Sequence, residues 1–324
     1  MEISIVIPIY NAAAFIEENI KSIGYNKNIE IVIINDGSTD DTENLCEILI
    51  EKYPNIKYIK TDNKGVSCAR NLGINVSSKD FIMFVDADDI LADNWYNIIA
   101  QQKENIIKND IIYFSEKLSE TFSKTDMIEI LTSYNDYNFA GPFSKIYRRN
   151  FLIENKIEFD SEIINGEDMI FNLEAINKTN KLYIIKSSFY KYKRYIGSTT
   201  TRFNEKLFES DIKFQKKIKK ILNISVLSEN MKNNILIYFK YNAILTLSEK
   251  ISYIKKYEVA RKKFEFLNDE IYKIKDNIFK LPKFSLKKKM LLLFIKLKLF
   301  FVVYYIFNLF HKNINNYNND YIDI

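Results

Sequence analysis

The stretch Phe81-Ile82-Met83-Phe84-Val85-Asp86-Ala87-Asp88-Asp89 sets the reading of the whole chain. Its five apolar residues, four of them aromatic or branched, have the length and composition of a buried strand. Three carboxylates follow within four positions. Like charges so close repel one another and lose hydration, so they need either open solvent or a compensating cation. A hard divalent ion with oxygen ligands, shared with a phosphate-bearing substrate, is one answer. A solvated acidic turn is the other, because Asp is common where strands end.

Upstream, apolar runs alternate with helical segments. Strands are expected at 3–7, 29–34 and 56–60, and a strand at 110–114 follows the one at 81–85. Helices are expected at 12–22 with Asn11 as N-cap, at 40–52, at about 66–76 and at 94–108. This alternation argues for an α/β fold with a mostly parallel sheet, and the near-continuous apolar strands argue for helices on both faces. In such sheets ligands bind beyond the carboxyl ends of the strands. Those ends carry Pro8-Ile9-Tyr10-Asn11, Asn35-Asp36-Gly37-Ser38, Thr61-Asp62-Asn63 and Asp86-Ala87-Asp88. Four of only seven glycines (Gly37, Gly65, Gly166, Gly197) fall beside these or other polar clusters, where tight turns or close backbone approach are needed.

Composition narrows the classes. With 324 residues, 47% apolar and 27% charged, the chain is neither disordered nor a multi-pass membrane protein. Two cysteines offer no disulfide framework and no zinc cluster, which suits a reducing cytosol. The N-terminus lacks the basic-then-apolar pattern of a secretion signal. The net charge of +5 is local: seven lysines lie between Lys283 and Lys312 without any Asp, Glu or Arg. The remainder is slightly acidic, so nucleic-acid binding is not expected.

Five segments, in order, resemble the family 2 glycosyltransferases of GT-A (Rossmann-like) fold, of the bacterial surface-glycan type. They are Val6–Asn11, Asn35–Asp40, Gly65–Gly73, Asp86–Asp89 and Glu167–Phe171, covering roughly residues 1–200. The resemblance implies a UDP-sugar donor, with Asp36 reading uracil, Asp86 toward the ribose, and Asp88 with Asp86 binding Mn2+ or Mg2+. It also places a general base at Asp168, supported by Glu167, and so implies inversion at the anomeric carbon. Pro8, Tyr10, Asn11, Gly65, Arg70, Lys145 and Arg194 complete the expected nucleotide-sugar contacts. Structural alternatives stand beside these roles. Asp36 can form an Asx-turn, Tyr10 can simply pack, Arg70 can pair with a nearby carboxylate, and the Tyr190–Thr199 stretch can be a solvated edge strand.

Residues 1–205 read as the transferase domain, with 1–110 as nucleotide-sugar half and 111–205 as acceptor half. A Lys/Glu/Ile/Leu-rich helical extension follows at 206–282, then a basic amphipathic tail at 283–324 whose last residues, 313–324, are expected to fray. The apolar stretch 290–310 is interrupted by Lys296 and Lys298, and its uncharged run of 13 residues is short for a bilayer span. It suits a helix lying on an anionic membrane, a helix packed on the protein, or a dimer contact. The first of these implies a cytoplasmic enzyme, peripheral on the inner face of the cell membrane, acting on a glycan or lipid-linked glycan for capsule, exopolysaccharide or lipooligosaccharide. The rivals are a non-catalytic, membrane-associated nucleotide- or glycan-binding subunit and a sugar nucleotidyltransferase. Pro8–Phe15 lacks the glycine-rich basic loop of the latter, and no G-x-G-x-x-G supports a dehydrogenase.

Overall fold

The computed structural model describes residues 1–115, 123–132, 140–193, 203–272, 274, 277–281, 284–314 and 321–323. The chain divides into two compact units, one of Met1–Ser161, Gly166–Arg194 and Asp320–Ile324, the other of Glu162–Asn165 and Tyr195–Asn319. The helical extension and most of the tail lie in the second unit.

The first unit is built on β1 (Ile3–Ile9), α1 (Ile16–Ile23), β2 (Ile29–Asp36), α2 (Thr42–Lys52), β3 (Ile56–Thr61), α3 (Val66–Val76) and β4 (Phe81–Phe84). There follow β5 (Ile90–Leu91), α4 (Trp95–Gln101), α5 (Lys103–Lys108), β6 (Ile111–Phe114), α6 (Lys124–Thr132), β7 (Lys145–Arg148) and α7 (Arg149–Glu154). The unit continues with α8 (Glu167–Lys178), β8 (Leu182–Ile185) and β9 (Tyr190–Lys193). Seven strands form one sheet in the order β3-β2-β1-β4-β7-β6-β8. All neighbouring pairs are parallel except those of β7, which runs antiparallel to both β4 and β6. The expected mostly parallel sheet of the α/β class is thus present, with one reversed strand inserted at its middle.

Strand periodicity decides which face each side chain serves. Ile3, Ile5, Ile7 and Ile9 of β1 join Met83 of β4 in a core with Ile16, Ile20 and Ile23 of α1 and with Trp95 and Ile99 of α4. The opposite face presents Val6 to α3 and Phe84 to an aromatic cluster. Phe84 meets the rings of Tyr147, Phe159 and Phe171 edge-on at 5.9, 5.3 and 6.0 Å. At Gly73 a Cβ would stand 2.2 Å from Val6 Cγ1, so only glycine lets α3 lie this close to β1.

Three local expectations change. Asn11 is not the N-cap of α1, which starts five residues later after Phe15. Instead Asn11 takes a positive φ of 51° and accepts the Thr39 N–H at 2.8 Å, while its own N–H donates to Ser38 Oγ at 3.0 Å. Its short amide finds better partners across the strand edge than along its own chain. The segment 94–108 breaks at Gln102 into two helices. The last residues do not all fray, because β10 (Tyr321–Asp323) pairs antiparallel with β9, which also pairs with β5.

The second unit contains α9 (Lys206–Asn223), α10 (Glu229–Ser252), α11 (Tyr257–Phe266), α12 (Leu286–Lys296) and α13 (Phe300–Ile314). The tail helices bury one face within it: Leu292, Ile295, Phe300 and Val303 are almost fully covered. Phe300 stacks on Phe264 at 5.5 Å, and the Tyr304 hydroxyl donates to the carbonyls of Ile254 and Lys255 at 2.9 and 3.1 Å. Among the described residues no helix is long and apolar enough to cross a membrane.

Candidate functional site

Because β1 to β4 run parallel side by side, their carboxyl ends open on one edge of the sheet. Arg70 of α3 is the hub of that edge. Its side chain is buried, yet one guanidinium nitrogen donates to Asp86 Oδ1 at 2.8 Å and the other to Asp168 Oδ1 at 2.7 Å. Glu167 Oε1 lies 3.9 Å away. Phe159 supports the guanidinium face at 5.2 Å, an arrangement that favours a planar cation. Residues 16 and 98 positions from Arg70 in sequence are thereby gathered on one fork.

The electrostatics of this cluster pull in two directions. Burial raises the Asp168 pKa, and the charge of Asp86 adds to that rise, while Arg70 opposes it. Burial likewise pushes Glu167 up, and the neighbouring Asp168 carboxylate pushes it further. Gly166, with a φ of 97°, precedes α8 and sets both acids in that helix's first turn, where the helix dipole partly favours their charge. A carboxylate raised by burial and held by one oxygen is a suitable proton acceptor near neutral pH.

The turn after β4 is tied down from behind. Asp89 is fully buried and accepts the Tyr190 hydroxyl at 2.6 Å and the Lys193 N–H at 2.9 Å. Asn19 of α1 donates to the Asp86 and Asp89 carbonyls at 3.0 and 2.7 Å. Asn19 did not stand out in the sequence as part of the site, and Tyr190 figured only within the Tyr190–Thr199 stretch. The one available signal was Asn19 itself, a polar residue on the buried stripe of Ile16, Ile20 and Ile23.

Asp36 holds the N–H groups of Lys64 and Gly65, both at 2.8 Å, so it closes the loop into α3 rather than forming an Asx-turn of its own. Gly65 takes a φ of 91° there. Pro8 is buried within β1 opposite Ile34, whereas Tyr10 is half exposed at the rim. Lys145 is not on the surface. It is 1% exposed and its ammonium donates to the carbonyls of Gly141 and Phe143 at 2.5 and 3.1 Å, above the Tyr113 ring. Burial lowers its pKa to about 7, with Asp168 working the other way. The structure thus brings together Arg70, Asp86, Glu167 and Asp168, and does not bring the Lys145 ammonium to solvent. Arg194 lies outside the described residues.

Asp86 and Asp88 are half-buried carboxylates two positions apart at the end of β4. Among the described residues no group of three or more His, Cys, Asp or Glu side chains could hold a metal ion by itself. The pair nevertheless suits a hard cation of the kind held by one or two carboxylates and completed by substrate phosphate oxygens.

Residues 4–153 match the family model described as glycosyl transferase family 2. It is 35% identical over 212 residues to the minor teichoic acid biosynthesis protein GgaA of Bacillus subtilis, covering 59% of this chain and 47% of GgaA. It is 27% identical over 208 residues to the poly(ribitol-phosphate) beta-glucosyltransferase of Bacillus spizizenii, covering 59% of this chain and 32% of that enzyme. The chain therefore spans less than half the length of either relative. Among solved structures, S. aureus TarS 1-349 in complex with UDP-GlcNAc superposes with a TM-score of 0.62 at 22% identity, over 97% of this chain and 92% of that one. That likeness establishes the GT-A fold.

Proposed function

We propose that this family 2 domain is an inverting glycosyltransferase that moves a hexose or N-acetylhexosamine from a UDP-sugar to a bacterial surface glycan. The observation that carries the reading is the Arg70 fork, which sets the proposed base, Asp168, beside Asp86 at the carboxyl edge of the sheet. In this reading Asp168 accepts the proton of the incoming acceptor hydroxyl as that oxygen attacks the anomeric carbon. The bond from that carbon to the nucleoside diphosphate breaks on the opposite side. Arg70 fixes one oxygen of Asp168 and leaves the carboxylate aimed by a rigid, buried group. Glu167 supports it through the shared guanidinium. Asp86 and Asp88 would hold Mn2+ or Mg2+, whose bound charge offsets the negative charge gathering on the departing diphosphate.

Relatives named for teichoic acid make an anionic polyol-phosphate polymer the first acceptor to try, with capsule, exopolysaccharide and lipooligosaccharide chains beside it. A fold neighbour described in complex with UDP-GlcNAc makes that donor the first to try. The test is UDP release with Mn2+ across a panel of UDP-sugars and these acceptors. Asp168→Asn should lower turnover by about 100-fold or more while UDP still binds. Unchanged turnover in that variant would remove Asp168 from the mechanism. UDP binding without release from any donor would instead indicate a non-catalytic binding subunit.

A further inference from the structure

Among the described residues, the tail helices α12 and α13 bury one face and carry large, mostly exposed apolar side chains on another. Opposite the buried Phe300, Val303 and Phe307, a second row stands in solvent. Leu297, Phe301, Tyr305 and Leu309 are 58, 56, 47 and 61% exposed. They recur every four residues, so they line one side of α13 and the turn before it. Phe301 and Tyr305 lie against each other at 4.3 Å, which makes the row a continuous ridge rather than scattered side chains.

An exposed aromatic ridge needs a reason, because each large apolar side chain left in water forgoes the gain of burial. Charge identifies what covers it. Between residues 284 and 314 the chain carries six lysines and no Asp, Glu or Arg. Lys287, Lys288, Lys296 and Lys298 of this stretch are exposed. Asp269 answers Lys298 at 2.7 Å, Glu249 lies within electrostatic reach of Lys288, and Glu258 and Glu265 stand with Arg261 about the Tyr257 ring that meets Phe301, while the tail stretch itself supplies no acid. A partner that accepts apolar side chains in its interior and presents negative charge at its surface fits both features. An anionic bilayer is such a partner. Phe, Tyr and Leu sit at the headgroup boundary, and lysines beside them are drawn to the lipid phosphates.

We propose that the Leu297–Leu309 ridge and its flanking lysines dock the protein on an anionic lipid surface, while the opposite face of the same helices packs within the helical unit. The helices then lie along the membrane and stay part of the folded protein. This goes beyond the transferase reading and does not depend on it.

The test is flotation of the full chain with phosphatidylcholine vesicles, with and without phosphatidylglycerol. Binding should require phosphatidylglycerol and fall as salt is raised. Lys287→Ala and Lys288→Ala should each weaken it by about fivefold. Phe301→Ser with Leu309→Ser should weaken it further, with the helical circular dichroism of the parent retained. If that pair disturbs folding, the lysine variants alone decide. Equal binding to neutral vesicles, no binding to either kind, or binding indifferent to the lysines would each overturn the proposal. So would a dimer, seen by light scattering, that these same substitutions dissolve, because the ridge would then belong to a second copy of the chain.

Discussion

The Tyr190 hydroxyl donates to Asp89 Oδ2 at 2.6 Å and accepts the Asp86 N–H at 3.1 Å. One phenol thereby ties β9 to the turn that presents Asp86 and Asp88. Tyr190→Phe keeps the ring and its stacking on Phe143 but removes the hydroxyl donor to the buried Asp89 Oδ2 and the acceptor of the Asp86 N–H. The expected loss is about 1–3 kcal/mol in urea denaturation. UDP affinity in the presence of Mn2+, measured by calorimetry, should weaken as the turn loosens. Unchanged affinity would show that Asn19 suffices to hold it.

Arg70→Met should be among the most damaging single changes in the first unit. It leaves Asp86 and Asp168 without the cation that both contact. The expected cost near pH 7 is about 3–5 kcal/mol. Asp168 loses the partner that favours its charged form, so the deficit should shrink as the pH falls and this carboxylate takes up a proton. Arg70→Lys should recover only part of it, since a compact ammonium lacks the planar, two-pronged reach of the guanidinium. Urea denaturation of the three proteins at pH 5 and pH 7 checks the sign.

Gly73→Ala should lower the thermal midpoint by overpacking against Val6, at about 1–3 kcal/mol. Val6→Ala in the same chain should recover part of the loss. A double-mutant cycle that came out additive would mean that the two positions do not compete for space.

Lys145 gives a prediction in pH. Its folded pKa of about 7 lies below the ordinary lysine value of 10.5, so between these limits the unfolded chain binds more protons than the folded one. Stability attributable to this residue therefore rises with pH across that window. Lys145→Met keeps the volume and removes the titration. The difference in unfolding free energy, wild type minus variant, should rise by about 1–3 kcal/mol from pH 7 to pH 10. A flat difference would mean that the lysine stays charged at its site.

The sequence was most legible where burial acts on contiguous residues. β1 to β4 and α3 fall close to where apolar runs and Gly65 place them, because central strands and the helix covering them have little freedom in composition. The gathering of Asp86 and Asp168 was foreseeable only through motif order. The fork that joins them was not, since Arg70 reads equally well as a ligand contact or an ion-pair partner. Lys145 illustrates the same limit. Its chemistry suggests a solvent-facing cation, and only the packing of Gly141, Phe143 and Tyr113 around it shows otherwise. The direction of β7 was equally hidden. Lys145–Arg148 is too short and mixed to announce its neighbours, and strand direction depends on chain path rather than on side-chain pattern.

That reversed strand has a bearing on how the edge of the sheet can vary. β7 enters the sheet at the rim where β4 leaves it, as the pairing of Phe81 with Arg148 and Ile82 with Tyr147 requires. Incoming and outgoing connections therefore border the same opening. Insertions or deletions ahead of β7, or after β4, can reshape what the opening admits while the pleated interior keeps its registration. Variation in loop length can then be absorbed at this rim at little cost to folding.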